Sequence, residues 1–135
     1  MNEKELELID MVFQKGKALY GQTRQSSRHT VVAGILANSG NMYFGANCDS
    51  VHGTCAEVVA YVNAVLANEK ELLTIVAASV RGQGNERVIV PCGNCRQILM
   101  ENVPMINVVI NESGQLRKCS ISDLLPKVYV KKVED

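Results

Sequence analysis

The run from Leu72 to Val80 is apolar almost throughout, the pattern of a strand buried on both faces at the centre of a sheet. A 135-residue chain that carries such a strand has to cover it above and below, and the flanking segments supply the cover. Residues 3–20 place Leu6, Ile9, Val12, Phe13 and Leu19 at helical spacing, an amphipathic first helix. From Cys55 to Asn68 the residues are Ala, Val and Leu with few polar breaks, which suits a helix buried on most of its surface. Cys92 to Asn102 is a short helix bounded by Pro91 and Pro104. Further strands are predicted at His29–Ala37 and Met42–Asn47, joined as a hairpin by Asn38-Ser39-Gly40-Asn41. Others are predicted at Val88–Val90, Met105–Ile110 and Gln115–Cys119. Gly21–Ser27, Cys48–Thr54 and Arg81–Arg87 read as loops. Ser120, with Asp123 three positions on, caps a last short helix before Pro126 and a mobile tail.

Alternating strands and helices in the middle of the chain imply an α/β fold with parallel neighbours, right-handed crossovers and helices on both faces, a three-layer α/β/α arrangement. The last strand pair differs. The turn Asn111-Glu112-Ser113-Gly114 is too short for a crossover, so those two strands are antiparallel. The length fits one domain spanning residues 1–135, with a core that needs no disulfide staples.

Composition removes several functions. Lys plus Arg and Asp plus Glu both total 14, with no basic run, which argues against a nucleic-acid polymer or an anionic membrane as partner. Aromatics make up 4 % and Trp is absent, so a base-stacking platform is not expected. No stretch approaches the ~20 apolar residues of a membrane span. The opening Met1-Asn2-Glu3-Lys4-Glu5 is unlike a secretory signal, so a cytoplasmic protein is expected. Five cysteines, an odd count, do not make a disulfide framework in that setting.

Cys55 opens one predicted helix, and Cys92 and Cys95 open another. Helix N-termini favour thiolates through unpaired N–H groups and the helix dipole. Brought together, the two helix starts present three thiolates and leave the fourth tetrahedral position open, the pattern of a catalytic zinc. Glu57, on the first turn after Cys55, can reach that open position without being a ligand. Cys92-Gly93-Asn94-Cys95 alone suits a thioredoxin-type redox pair equally well. Cys55-Ala56-Glu57 upstream favours zinc, because a redox dithiol has no use for it. Cys48 and Cys119 read as small buried hydrophobes.

With Thr54-Cys55-Ala56-Glu57 and Pro91-Cys92-Gly93-Asn94-Cys95-Arg96-Gln97 in view, the chain resembles the cytidine deaminase superfamily from about His29 to Tyr129. It looks like the small single-domain branch that holds cytidine deaminase and blasticidin S deaminase. The resemblance implies a five-stranded mixed sheet between helices, one Zn2+ per chain, and a homotetramer or dimer. It implies hydrolysis of a cytosine nucleoside (cytidine, deoxycytidine, or blasticidin S or another modified cytosine) to the uracil form and ammonia. A non-catalytic zinc-binding module of the same fold is a further alternative. Cys55, Cys92 and Cys95 match the zinc ligands, and Glu57 matches the residue that moves protons. The Ala56 N–H and Val90 carbonyl match groups that hold the pyrimidine oxygen and the amine.

Three thiolates on one zinc leave a surplus negative charge. Arg96 is placed to offset it through hydrogen bonds to sulfur, or it is an ordinary surface cation. The family often carries a second arginine just after the glutamate, where this chain has Val58. Gly45-Ala46-Asn47-Cys48-Asp49 resembles the family's Gly-x-Asn-x-Glu, which implies ribose contacts for Asn47 and Asp49; both also suit a plain turn. Asp49 leans toward a cytidine-type substrate, while the short loop from Asn47 to Cys55 leans toward the blasticidin enzyme. His29 stands where the family has an aromatic ring; it can stack, hydrogen-bond a substrate, or simply begin a strand. Tyr129 matches an aromatic that reaches an active site, its own or a neighbour's, or else packs on the sheet edge. His52 is not assigned to zinc, since a fourth ligand would close the open position.

Overall fold

The computed structural model describes residues 1–20, 28–80 and 86–131; the loops expected over 21–27 and 81–85 and the last four residues of the tail lie outside them. Among the described residues, three helices, α1 (Glu3–Tyr20), α2 (Ala56–Leu66) and α3 (Gly93–Asn102), accompany six strands. These are β1 (Val31–Ala37), β2 (Met42–Ala46), β3 (Leu72–Ser79), β4 (Arg87–Ile89), β5 (Asn107–Glu112) and β6 (Gln115–Ser120). A 3-10 turn over Ile121–Leu124 follows, and Ser120 caps it by accepting from the Asp123 N–H at 3.3 Å. Among the described residues, no helix is long and apolar enough to cross a membrane.

Five strands lie in the order β2-β1-β3-β5-β6, and short β4 pairs with β3 beside this path. Parallel neighbours are fewer than the alternation of elements suggests. β3 and β5 are parallel, but β1 and β3 are antiparallel, with Val31 opposite Ser79 and Leu36 opposite Thr74. The hairpin explains this: β2 reverses the chain before α2 begins, so the connection through α2 steps over β1. β5 and β6 are antiparallel, as the short turn requires. Their strands run closer to the turn than expected, leaving Ser113 and Gly114, both at positive φ, as a two-residue loop that matches strand twist. Arg87, expected in a loop, instead begins β4.

Alternate residues of β1 divide between two cores. Val32 and Leu36 meet Leu8, Ile9 and Val12 of α1 on one face. Ala33, Ile35 and Ala37 meet Ala56, Ala60 and Ala64 of α2 and Leu99 of α3 on the other. This is the period of two that a sheet covered on both faces demands. α1 is turned differently from its apolar pattern: Leu6 is 53 % exposed, while Leu8, Glu5 and Gly16 face inward. Glu5 goes in because partners await it, and Gly16 because a Cβ there would lie 2.1 Å from a Val80 methyl carbon.

Candidate active site

The site lies where α2 and α3 begin. Cys55 and Cys92 occupy the N-cap positions of these helices, with extended backbone and no side-chain cap bond. Ser, Thr, Asp or Asn ordinarily stabilises a helix by about 1 kcal/mol at that position through such a bond. Both helix starts forgo it and present sulfur instead. Cys95 sits one turn into α3 and is buried.

The three sulfurs lie within 4.8 Å of one another, with Cys55 to Cys92 at 3.6 Å and Cys92 to Cys95 at 3.4 Å. A tetrahedral ion with zinc–sulfur bonds of ~2.3 Å holds its sulfurs ~3.8 Å apart. The donor set therefore fits zinc in both softness and spacing, and a third sulfur beside the Cys92–Cys95 pair is more than a redox dithiol uses. Burial raises Cys55, aided by the Cys92 thiol and the Glu57 charge and opposed by a hydrogen bond with Cys95; burial and the nearby Glu57 raise Cys95. Burial also acts to raise Cys92, but hydrogen bonds from the N–H groups of Cys95 and Asn94 and from the two neighbouring thiols outweigh it, and its thiol falls below the ordinary range. A divalent cation at the centre of the trio favours the thiolate at all three. His52 is exposed and stands outside the cluster.

A pocket of about 400 Å³ adjoins the trio. Its wall includes Asn47, Asp49, Cys55, Ala56, Glu57, Val90 and Cys92, seven residues singled out in the sequence. Glu57 is 4 % exposed, and desolvation lifts its carboxyl above the usual carboxylate range, opposed only by a bond from its own N–H. Ala56, the first residue of α2, carries one of the N–H groups that a helix start leaves without a helical acceptor. Val90 is 39 % exposed just past β4.

Asn47 is held firmly. Its Oδ1 accepts from the N–H groups of Thr30 and Val31 at 2.7 and 2.9 Å, and its NH2 donates to the Thr30 hydroxyl at 3.4 Å, which leaves the second N–H of that NH2 as the group it can offer a ligand. The half-buried His29 is 2.7 Å through Nδ1 from the Asn47 carbonyl, so it braces the pocket wall and does not itself line the pocket. Asp49 is exposed, and its backbone pairs with Arg28, whose carbonyl accepts from the Asp49 N–H at 3.0 Å. Two further sequence residues lie outside the pocket wall. Tyr129 is 73 % exposed, and its carbonyl accepts from Gln97. Arg96 donates to the carbonyls of Pro91 and Leu124 at 2.8 and 3.0 Å, not to sulfur as expected; a forked guanidinium finds two converging carbonyls here.

Cys48 is a correction of a different kind. It is exposed and lines the pocket, whereas Cys119 is buried as expected. Backbone bonds between Cys48 and Thr54 close the loop. Gly53 permits this, since a Cβ there would lie 2.4 Å from the Cys48 carbonyl oxygen. That glycine, two residues before Cys55, was the available signal for a folded-back loop. Thr54, from the Thr54-Cys55-Ala56-Glu57 stretch, also lines the wall, and Val31, Ser50 and Ile89 complete it with no sequence signal of their own.

No protein-family model matches the chain. The blasticidin-S deaminase of Bacillus cereus is 30 % identical over 138 residues, covering 97 % of this chain and 96 % of that one. A cytidine deaminase of Halalkalibacterium halodurans is 30 % identical over 108 residues, covering 76 % and 79 %. Among solved structures, the cytidine deaminase from Burkholderia pseudomallei superposes with a TM-score of 0.71 at 28 % identity, over 96 % of this chain and all of that one. Sheet order, cysteine geometry and an end-to-end relative converge, and the chain belongs to the cytidine deaminase superfamily.

Proposed function

We propose that the protein hydrolyses the exocyclic amine of a cytosine nucleoside, with one zinc held by Cys55, Cys92 and Cys95, giving the uracil form and ammonia. The observation that carries this reading is a carboxyl with no side-chain partner among the described residues, Glu57, buried in the wall of a pocket beside three converging sulfurs. A bound zinc would supply the lowered water pKa that makes a nucleophile at neutral pH. Glu57 takes the proton that the attacking water gives up, protonates ring N3, and then delivers a proton to the departing amine. The carbon–nitrogen bond at C4 breaks, a carbon–oxygen bond replaces it, and nitrogen leaves as ammonia. The Ala56 N–H donates to the pyrimidine oxygen, and the Val90 carbonyl accepts from the amine before it leaves. At the sugar end the Asn47 NH2 donates and the Asp49 carboxylate accepts, a pair suited to hydroxyl groups.

Cytidine or deoxycytidine is the first substrate in this reading, because Asp49 supplies an acid at the pocket lip. Blasticidin S or another modified cytosine is the second, favoured by the match to a blasticidin-S deaminase along nearly the whole chain. The reading includes a single domain, a cytoplasmic setting in keeping with five unpaired cysteines, and a homotetramer or dimer in which the exposed Tyr129 serves a neighbour's pocket. An ultraviolet deamination screen over cytosine, cytidine, deoxycytidine, blasticidin S and N4-substituted analogues tests it. Loss of amine from at least one nucleoside is expected; an unchanged spectrum for all of them, with zinc bound, leaves a non-catalytic zinc module in its place.

A further inference from the structure

We propose that Arg96 is a positioning residue that aims Cys92, by clamping the peptide plane just before it to the C-terminal part of the chain. The inference rests on the zinc reading of the cysteine trio.

Cys92 is exposed and sits at an N-cap with no cap bond of its side chain, so its direction depends on the Pro91–Cys92 peptide. Proline has no N–H, so the carbonyl is the only polar backbone handle Pro91 offers. Arg96 Nε holds that carbonyl at 2.8 Å, and Arg96 Nη1 holds the Leu124 carbonyl at 3.0 Å. Leu124 ends the 3-10 turn that begins at Ile121, which is fully buried and whose N–H bonds the Ile106 carbonyl at 3.1 Å. The guanidinium thus ties an exposed ligand to a segment rooted in the core. Gln97 adds a second tie from the same helix to the Tyr129 carbonyl at 3.0 Å. With the plane fixed, the sulfur of Cys92 stays within 3.6 Å of both its neighbours in the trio.

A clamp and a charge offset make different demands. The clamp needs two donors on a rigid fork, which Lys does not provide, whereas a charge offset needs only the positive charge. Zinc release from the loaded protein into a chromogenic chelator is the test, for wild type, Arg96→Lys and Arg96→Gln, with thermal midpoints recorded alongside. Both variants are expected to release zinc about 10-fold or more faster than wild type, the usual scale for a group that orients a ligand. Cobalt-loaded Arg96→Lys is expected to show shifted d–d bands, a signature of altered ligand geometry that lowered stability alone does not produce. Release from Arg96→Lys at the wild-type rate overturns the clamp and leaves charge as the role. Lowered midpoints with unchanged release and unchanged cobalt bands overturn it in favour of a purely structural bond. Wild-type protein that holds no zinc overturns the proposed function, and the clamp with it.

Discussion

Glu5 and Glu57 both stand in the first turn of a helix and are 1 % and 4 % exposed, yet their surroundings push them in opposite directions. Burial acts to raise both. Around Glu5 it is outweighed by the Asn2 N–H at 3.0 Å, the Thr74 hydroxyl at 2.7 Å and the Lys118 ammonium at 2.9 Å, and the carboxyl falls below its ordinary range. Around Glu57 nothing comparable answers the burial, and the carboxyl rises. A fully partnered buried charge reads as architecture, here tying α1 to β3 and β6. A poorly partnered one beside a pocket is poised to exchange a proton.

Five substitutions sharpen that contrast. The largest effect is expected from Cys92→Ser, which should lose both bound zinc and all measurable turnover, checked by metal analysis and the deamination assay; retained zinc would move the metal site elsewhere. Asn47→Asp keeps the oxygen that accepts from the Thr30 and Val31 N–H groups and loses the NH2 donor. It should raise KM about 10-fold or more with little change in thermal midpoint, whereas Asn47→Ala should lower the midpoint as well. Glu5→Ala removes a structural carboxylate and should cost ~1–3 kcal/mol in urea unfolding at pH 7, with kcat unchanged, because Lys118 is part-exposed and regains water.

The smallest effect is a pH dependence. Because the folded-state pKa of Glu5 lies below its unfolded value, its contribution is present above about pH 4.5 and is lost as pH falls further. The wild-type advantage over Glu5→Gln should therefore shrink as pH falls below about 4.5 in paired urea titrations. An advantage that grows in acid would reverse the sign assigned to this carboxylate.

What the sequence disclosed follows from how local each signal is. The convergence of Cys55, Cys92 and Cys95 beside Glu57 is legible because sulfur residues at two helix starts are written within a few residues each. The central strand and both hairpins are legible for the same reason, the strand through its continuous apolar run and the hairpins through their turn residues. Glu5 was invisible, since an acid near a helix start ordinarily faces water and its partners Thr74 and Lys118 lie 69 and 113 residues away. The carbonyl of Leu124, 28 residues from Arg96, was equally out of reach, and so a clamp read as a charge. The antiparallel β1–β3 pair was missed because element order does not say over which strand a crossover passes.

The central claim is that Glu57 moves the proton at a zinc held by three cysteines. Zinc content and ammonia release measured together on wild type and Glu57→Gln, with the best substrate of the screen, test it most directly. One zinc per chain in both proteins is expected, with ammonia release at least ~100-fold slower in Glu57→Gln. Equal ammonia release from both proteins, or a wild-type enzyme that turns over without zinc, would contradict it.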